Sequence, residues 1–243
     1  MKKIFILLMI CLLVPVAQAT LVDDFDAEGL PEYTLTKLLD NYPAENNISF
    51  SDASDDLQAI YTGTGAGGGS HAEQVSFLRS DISLPVGKIL VVDVAAITPS
   101  STGHTEFGLM VCDTATPPGR FNYVTMNLRN QGGNQHVASQ WAGATGYKDN
   151  VQHNSVGWAN VDYLYITRLD ADTFETGYSL NGVKTILRTI DVESAIIGTA
   201  IGFYSDMRIA DTIGALDNLR IVPEPATIAL LGLGGLLLRR KRA

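Results

Sequence analysis

Phe174-Glu175-Thr176-Gly177-Tyr178-Ser179-Leu180-Asn181-Gly182-Val183-Lys184-Thr185-Ile186-Leu187 is the stretch that speaks most clearly about the fold. Phe174, Thr176, Tyr178 and Leu180 alternate with their neighbours, the period of a strand that buries one face. Asn181-Gly182 then supplies the two positive φ angles of a type I′ turn, and a second β-rich run follows. An antiparallel hairpin is expected. Outward from it, similar runs recur at 58–62, 74–78, 88–97, 106–112, 121–129, 137–141, 162–169, 184–190, 200–204 and 215–221, divided by Gly, Asn, Asp and Pro. Short helices are expected only near 35–39 and 192–197. So many strands without βαβ alternation predict an all-β fold, an antiparallel two-sheet β-sandwich. Composition does not shift within 20–222, so this span is read as one domain. At about 200 residues it hides roughly 70% of its unfolded surface and needs no disulfide.

The ends of the 243-residue chain differ from its middle. Lys2 and Lys3 precede an apolar run from Ile4 to Val16, and Ala17-Gln18-Ala19 follows. A basic head, a short apolar segment and small residues at both ends of that triplet form a secretory signal peptide over 1–19. Cleavage after Ala19 leaves Thr20 as the mature N-terminus and removes Cys11, so Cys112 stays as a lone thiol. A buried, inert thiol is expected there, with a reactive one as the alternative. At the other end, Pro223-Glu224-Pro225 leads into an uncharged run from Ala226 to Leu238, closed by Arg239-Arg240-Lys241-Arg242. The cations hold such a tip on the cytoplasmic face, so the body is expected outside the inner membrane, with transient membrane insertion by the C-terminal helix.

Between the ends, 20–222 carries 11 basic residues against 25 acidic ones, a net charge of −14. That surface repels nucleic acid and anionic lipid. Nucleic-acid binding is excluded.

The order Pro-Glu-Pro, apolar helix and basic tip over 223–243 resembles the PEP-CTERM sorting signal of Gram-negative and environmental bacteria. The resemblance implies processing by an exosortase, a membrane cysteine-protease-like transpeptidase. It also implies a place in the cell envelope, on the outer surface or in an extracellular matrix rich in polysaccharide. A second resemblance rests on Leu21-Val22-Asp23-Asp24-Phe25-Asp26, the Asn-Gly hairpin, Ile201-Gly202-Phe203-Tyr204 and Leu216-Asp217-Asn218-Leu219-Arg220-Ile221. These are similar to concanavalin A-like, laminin-G-like jelly rolls, whose first and last strands lie close together. Such folds bind glycans or proteins, often with calcium.

Several constellations bear on chemistry. Gly63-Thr64-Gly65-Ala66-Gly67-Gly68 fits the dinucleotide fingerprint, but a strand-like run follows it where that chemistry needs a helix, so a flexible loop is expected. No G-x-S-x-G or H-E-x-x-H motif is present, and no E-x-D-x-x-E string aligns two carboxylates on one strand face for glycoside hydrolysis. His71, His104, His136 and His153 are too widely spaced for a local metal motif and are expected to be solvated. If the first and last strands pair, Asp23, Asp24, Asp26, Asp217 and Asn218 could gather hard oxygen donors for Ca²⁺; a solvated acidic rim is the alternative. For glycan contact the segment 130–160 stands out, with Trp141, Tyr147 and Trp158 among amides and two histidines. Aromatic faces stack on sugars while amides bond hydroxyls. The alternative is that Trp141 and Trp158 anchor loop ends in the core. The resulting expectation is a non-catalytic structural or adhesive protein that contacts polysaccharide. A glycan-active enzyme of the same fold is the alternative.

Overall fold

A computed structural model describes residues 19–223, apart from 27, 28, 41–47, 54, 63–72, 96–102, 118, 148–151, 193–199, 209 and 210. The signal segment through Gln18, the Gly63–Gly68 loop, His71 and the tail from Glu224 onward lie outside the described residues. Among those described, sixteen strands form two antiparallel sheets. The first runs in the order β14 (Val183–Asp191), β13 (Thr173–Leu180), β12 (Val161–Arg168), β6 (Lys88–Val94), β16 (Asp211–Pro223), β4 (Leu57–Tyr61) and β3 (Ile48–Ser51), with β1 (Thr20–Asp23) also on β16. The second runs β10 (Gly146–Tyr147), β9 (Asn134–Gly143), β8 (Tyr123–Gln131), β7 (Thr105–Cys112), β15 (Ala200–Met207), β5 (Glu73–Arg79) and β2 (Thr34–Asp40), with β11 (Gln152–Ser155) also on β9. All eleven expected strands are present, and the first and last strands pair through Thr20 and Ile221. Among the described residues, no helix is long and apolar enough to cross a membrane.

The hairpin forms as its sequence dictates. Asn181 and Gly182 adopt φ of 50° and 79°, and β13 and β14 close around them. Asp162 on β12 locks the tip: its Oδ2 accepts from the Ser179 hydroxyl and the Gly182 N–H, each at 2.7 Å. Gly177 has a separate reason to be glycine. A Cβ there would collide with the Thr185 carbonyl oxygen and the Tyr165 ring.

Alternation puts Phe107, Leu109 and Val111 of β7 and Ile201 and Phe203 of β15 into the space between the sheets. Phe50, Phe77 and Tyr33 stack there, with centroids 4.4 and 4.7 Å apart. The second sheet is also buried on its outer face, where Leu38, Leu78, Met110, Cys112, Tyr123 and Tyr204 form a cluster of their own. Burial pushes the Cys112 thiol up to about 12, and its Sγ faces Asp113 Oδ1 at 3.5 Å. It is inert at neutral pH.

One expected helix is a strand. Leu35, Leu38 and Leu39 have helical spacing, but 34–40 is β2, paired with β5, and a bulge between Lys37 and Leu39 shifts its register. The extra residue breaks the two-residue period and leaves apolar positions three and four apart. The other helix, near 192–197, lies outside the described residues beyond Val192, which is in no helix and donates its N–H to Asp172 O at 3.0 Å.

Candidate functional site

Strand register builds the site. On the outer face of the second sheet, direct cross-strand neighbours run Gln74 (β5), Asp206 (β15), Glu106 (β7), Arg129 (β8), His136 (β9) and Ser155 (β11). This is a continuous polar row across six strands whose opposite faces line the core. Parity explains it: Phe107 and Phe203 must face inward, so Glu106 and Asp206 face outward.

At the buried end every carboxylate is occupied. Glu106 Oε2 accepts from Gln140 Nε2 at 2.6 Å and from Asn127 Nδ2 at 3.3 Å. Its Oε1 lies 3.2 Å from Arg129 Nη1 and 3.0 Å from His104 Nε2. Asp206 holds Arg208 through two contacts of 3.1 and 3.0 Å, and its Oδ2 accepts from Gln74 Nε2 at 2.8 Å. His104 Nε2 is 3.6 Å from the same oxygen. Glu106 and Asp206 are each 2% exposed, so these charges depend on one another rather than on water.

His104, Glu106 and Asp206 each offer a ligand atom, all within 4.8 Å of one another, and form the one such trio among the described residues. One imidazole nitrogen and two carboxylates are a donor set for a divalent cation. Any cation there competes with Arg129 and Arg208, which already hold those oxygens.

The trio gives the domain a pH dependence. Burial alone would lower the His104 pKa, but the Asp206 and Glu106 carboxylates outweigh it and the net shift is upward. His104 therefore contributes stability that is complete below its ordinary value near 6.5 and is lost as pH rises through the raised value. For Asp206 burial acts upward, yet His104 and Arg208 hold it well below the usual carboxylate range. Its contribution is present above about 3.9 and is lost as pH falls. Thermal melting of the domain is expected to be highest between about pH 4 and 6.5. A melting temperature that climbs steadily from pH 6 to 8 contradicts this assignment.

At its other end the row reaches solvent. His136 is half-buried, while Gln152, His153, Asn154 and Ser155 are exposed on edge strand β11. The His136 and His153 rings meet edge to face with centroids 5.0 Å apart, and Ser155 Oγ lies 3.2 Å from His136 Nδ1. Burial, His153 and Arg129 hold His136 below its ordinary pKa. Its ring is neutral at pH 7, with one nitrogen donating and one accepting.

The residues nominated from sequence are distributed differently. Trp158 sits in a 3₁₀ turn, Trp158–Asn160, with no exposed surface; its Nε1 donates to His136 O at 2.8 Å and its N–H to Gln135 Oε1 at 2.9 Å. A ring without an exposed face cannot stack on a sugar, so Trp158 is an anchor behind the row. Trp141 is 7% exposed and belongs to the main core. Tyr147 pairs with Ala142 at the end of β10. His104 is buried rather than solvated, because both strand ends beside it carry carboxylates.

Asp23, Asp24, Asp26, Asp217 and Asn218 lie around the junction of the first and last strands. β1 and β16 pair, but no three carboxylates of Asp23, Asp24, Asp26 and Asp217 approach within 4.8 Å. Asn218, at φ 52°, turns its N–H and amide back onto the Asp217 carboxylate, both at 2.6 Å. Asp23 accepts from Phe25 N–H at 3.0 Å. With Asp24, Asp26, Glu32, Asp52 and Arg79 it lines an open cleft of about 380 Å³. Of the cleavage and sorting residues, Ala19 is exposed, Thr20 opens β1, and Pro223 ends β16 as the cross-strand partner of Lys88. Ala17, Glu224, Pro225 and Arg239 to Arg242 lie outside the described residues.

The fold is an all-β, lectin-like jelly roll. The chain is similar in structure to a lectin from Bauhinia forficata in complex with GalNAc, at 8% identity, 85% of this chain, 99% of that chain and a TM-score of 0.50. It is also similar to lectin II from Ulex europaeus, at 10% identity, covering 84% and 97% with a TM-score of 0.50. A legume lectin-like domain from Entamoeba histolytica aligns at 11% identity, covering 79% and 90%, again with a TM-score of 0.50. At these identities the likeness is one of fold. Residues 222–242 match the PEP-CTERM protein-sorting motif. The chain is thus an exported protein sorted to the cell envelope, and the motif implies processing by an exosortase. No curated relative matches its sequence.

Proposed function

We propose that this exported domain is a non-catalytic, adhesive module that holds polysaccharide of the cell envelope or extracellular matrix. The observation that carries the reading is the polar row on a lectin-like sheet, which reaches solvent at His136, His153, Asn154 and Ser155. Imidazole, amide and hydroxyl groups side by side offer donors and acceptors for sugar hydroxyls. The Bauhinia forficata lectin, of the same fold, was determined with GalNAc. Before processing, the uncharged run 226–238 holds the chain in the inner membrane, with Arg239–Arg242 on the cytoplasmic side.

A second reading, a retaining glycosidase, is favoured by one observation: the Glu106 and Asp206 carboxylate oxygens lie within 4.8 Å, near the roughly 5 Å of such pairs. An acid–base pair needs one carboxyl that keeps its proton near neutrality. Asp206 is drawn the other way, and Glu106 is enclosed by Arg129, Gln140 and Asn127. Binding is the better-supported reading. Incubating the 20–222 fragment with matrix polysaccharide separates the two: retention with no new reducing ends is expected, and new reducing ends would establish the enzyme.

A further inference from the structure

The tail leaves the body without a linker. Strand β16 is central in its sheet, and its last residue, Pro223, pairs with Lys88, which also pairs with Arg168. The sorting motif begins at Val222, inside that strand. Only Glu224 and Pro225 separate the last paired residue from the apolar run at Ala226, and three residue steps reach at most about 11 Å. The polar headgroup zone is itself about 5–7 Å deep on each side of a bilayer.

The register places two turns at this same end of the sandwich. One precedes β6, with Lys88 N–H on Pro85 O at 3.2 Å and Gly87 N–H on Arg168 O at 2.8 Å. The other joins β12 to β13, with Leu169 N–H on Thr173 O at 2.9 Å. Each turn presents an apolar side chain to solvent: Val86 is 54% exposed and Leu169 39%. We propose that this end of the domain is a membrane-apposed face, with Val86 and Leu169 resting in the interfacial layer of the bilayer while the tail is inserted. Asp170 and Asp172 share the second turn and stay hydrated, which keeps the contact shallow. The inference rests on the tail being membrane-held, as proposed above.

Val183 supplies an internal control. It is 65% exposed but lies at the Asn181-Gly182 tip, at the far end of strands about 25 Å long. In cells producing the full chain, Val86→Cys, Leu169→Cys and Val183→Cys are exposed to a membrane-impermeant maleimide after the outer layers are opened; Cys112 has no exposed surface and stays silent. Val183→Cys should react several-fold faster than the other two in the membrane fraction, and detergent should equalise all three. Equal rates before detergent overturn the proposal. So does protection that disappears in cells lacking the processing enzyme, since a protein rather than lipid then covers the face. Absence of the unprocessed chain from the membrane fraction overturns the tail-insertion reading itself, and is measured separately by flotation.

Discussion

Replacing Glu106 by alanine is expected to cost about 3–5 kcal/mol of folding stability, the range for removing one partner of a buried ion pair. The side chain is 2% exposed and is the meeting point of Arg129, His104, Gln140 and Asn127. Alanine leaves a guanidinium, an imidazole and two amides facing a void that none of them can fill. Glu106→Gln keeps the shape and one carbonyl acceptor but removes the charge opposite Arg129 and His104, so a smaller loss is expected. Urea unfolding of the 20–222 fragment measures both. A Glu106→Ala midpoint equal to that of the unmodified domain would show that the network is not assembled as described.

Trp158→Ala should be comparably severe, at about 3–5 kcal/mol for a buried aromatic cut to a methyl group. It also deletes the Nε1 bond to His136 O, which ties the turn after β11 to β9, the strand carrying His136. Trp158→Phe retains most of the ring volume and loses chiefly that hydrogen bond, about 1 kcal/mol. Thermal unfolding and glycan retention should be measured on the same samples. If Trp158→Ala leaves stability intact and abolishes retention, the indole is a sugar platform after all.

These two residues mark how far the sequence could be followed. The Asn181-Gly182 hairpin and the sandwich were legible, because alternation and turn chemistry are local; the β1–β16 closure followed only from the resemblance to jelly rolls. β2 was not, since its bulge imitates helical spacing around Leu35, Leu38 and Leu39. The Glu106–Asp206 pair was hidden for a different reason. Its members are 100 residues apart and become neighbours only through the β7–β15 register, whereas a search for alternating carboxylates looks along one strand. A signal was nonetheless present: each is an acidic residue inside an otherwise buried, alternating run, which demands a charged partner across the sheet. Within the segment 130–160, strand β11 from Gln152 to Ser155 is exposed. The segment's tryptophans turned inward because a sandwich of this size needs large aromatics between its sheets, and the histidines stayed on the rim.

The most direct measurement is a calorimetric titration of matrix polysaccharide into the 20–222 fragment and into its His136→Ala/His153→Ala double variant. Binding to the unmodified domain, and at least a tenfold loss in the variant at an unchanged melting temperature, is the result expected; tenfold corresponds to about 1.4 kcal/mol. Equal binding by both proteins would contradict the assignment of this rim as the glycan-holding surface.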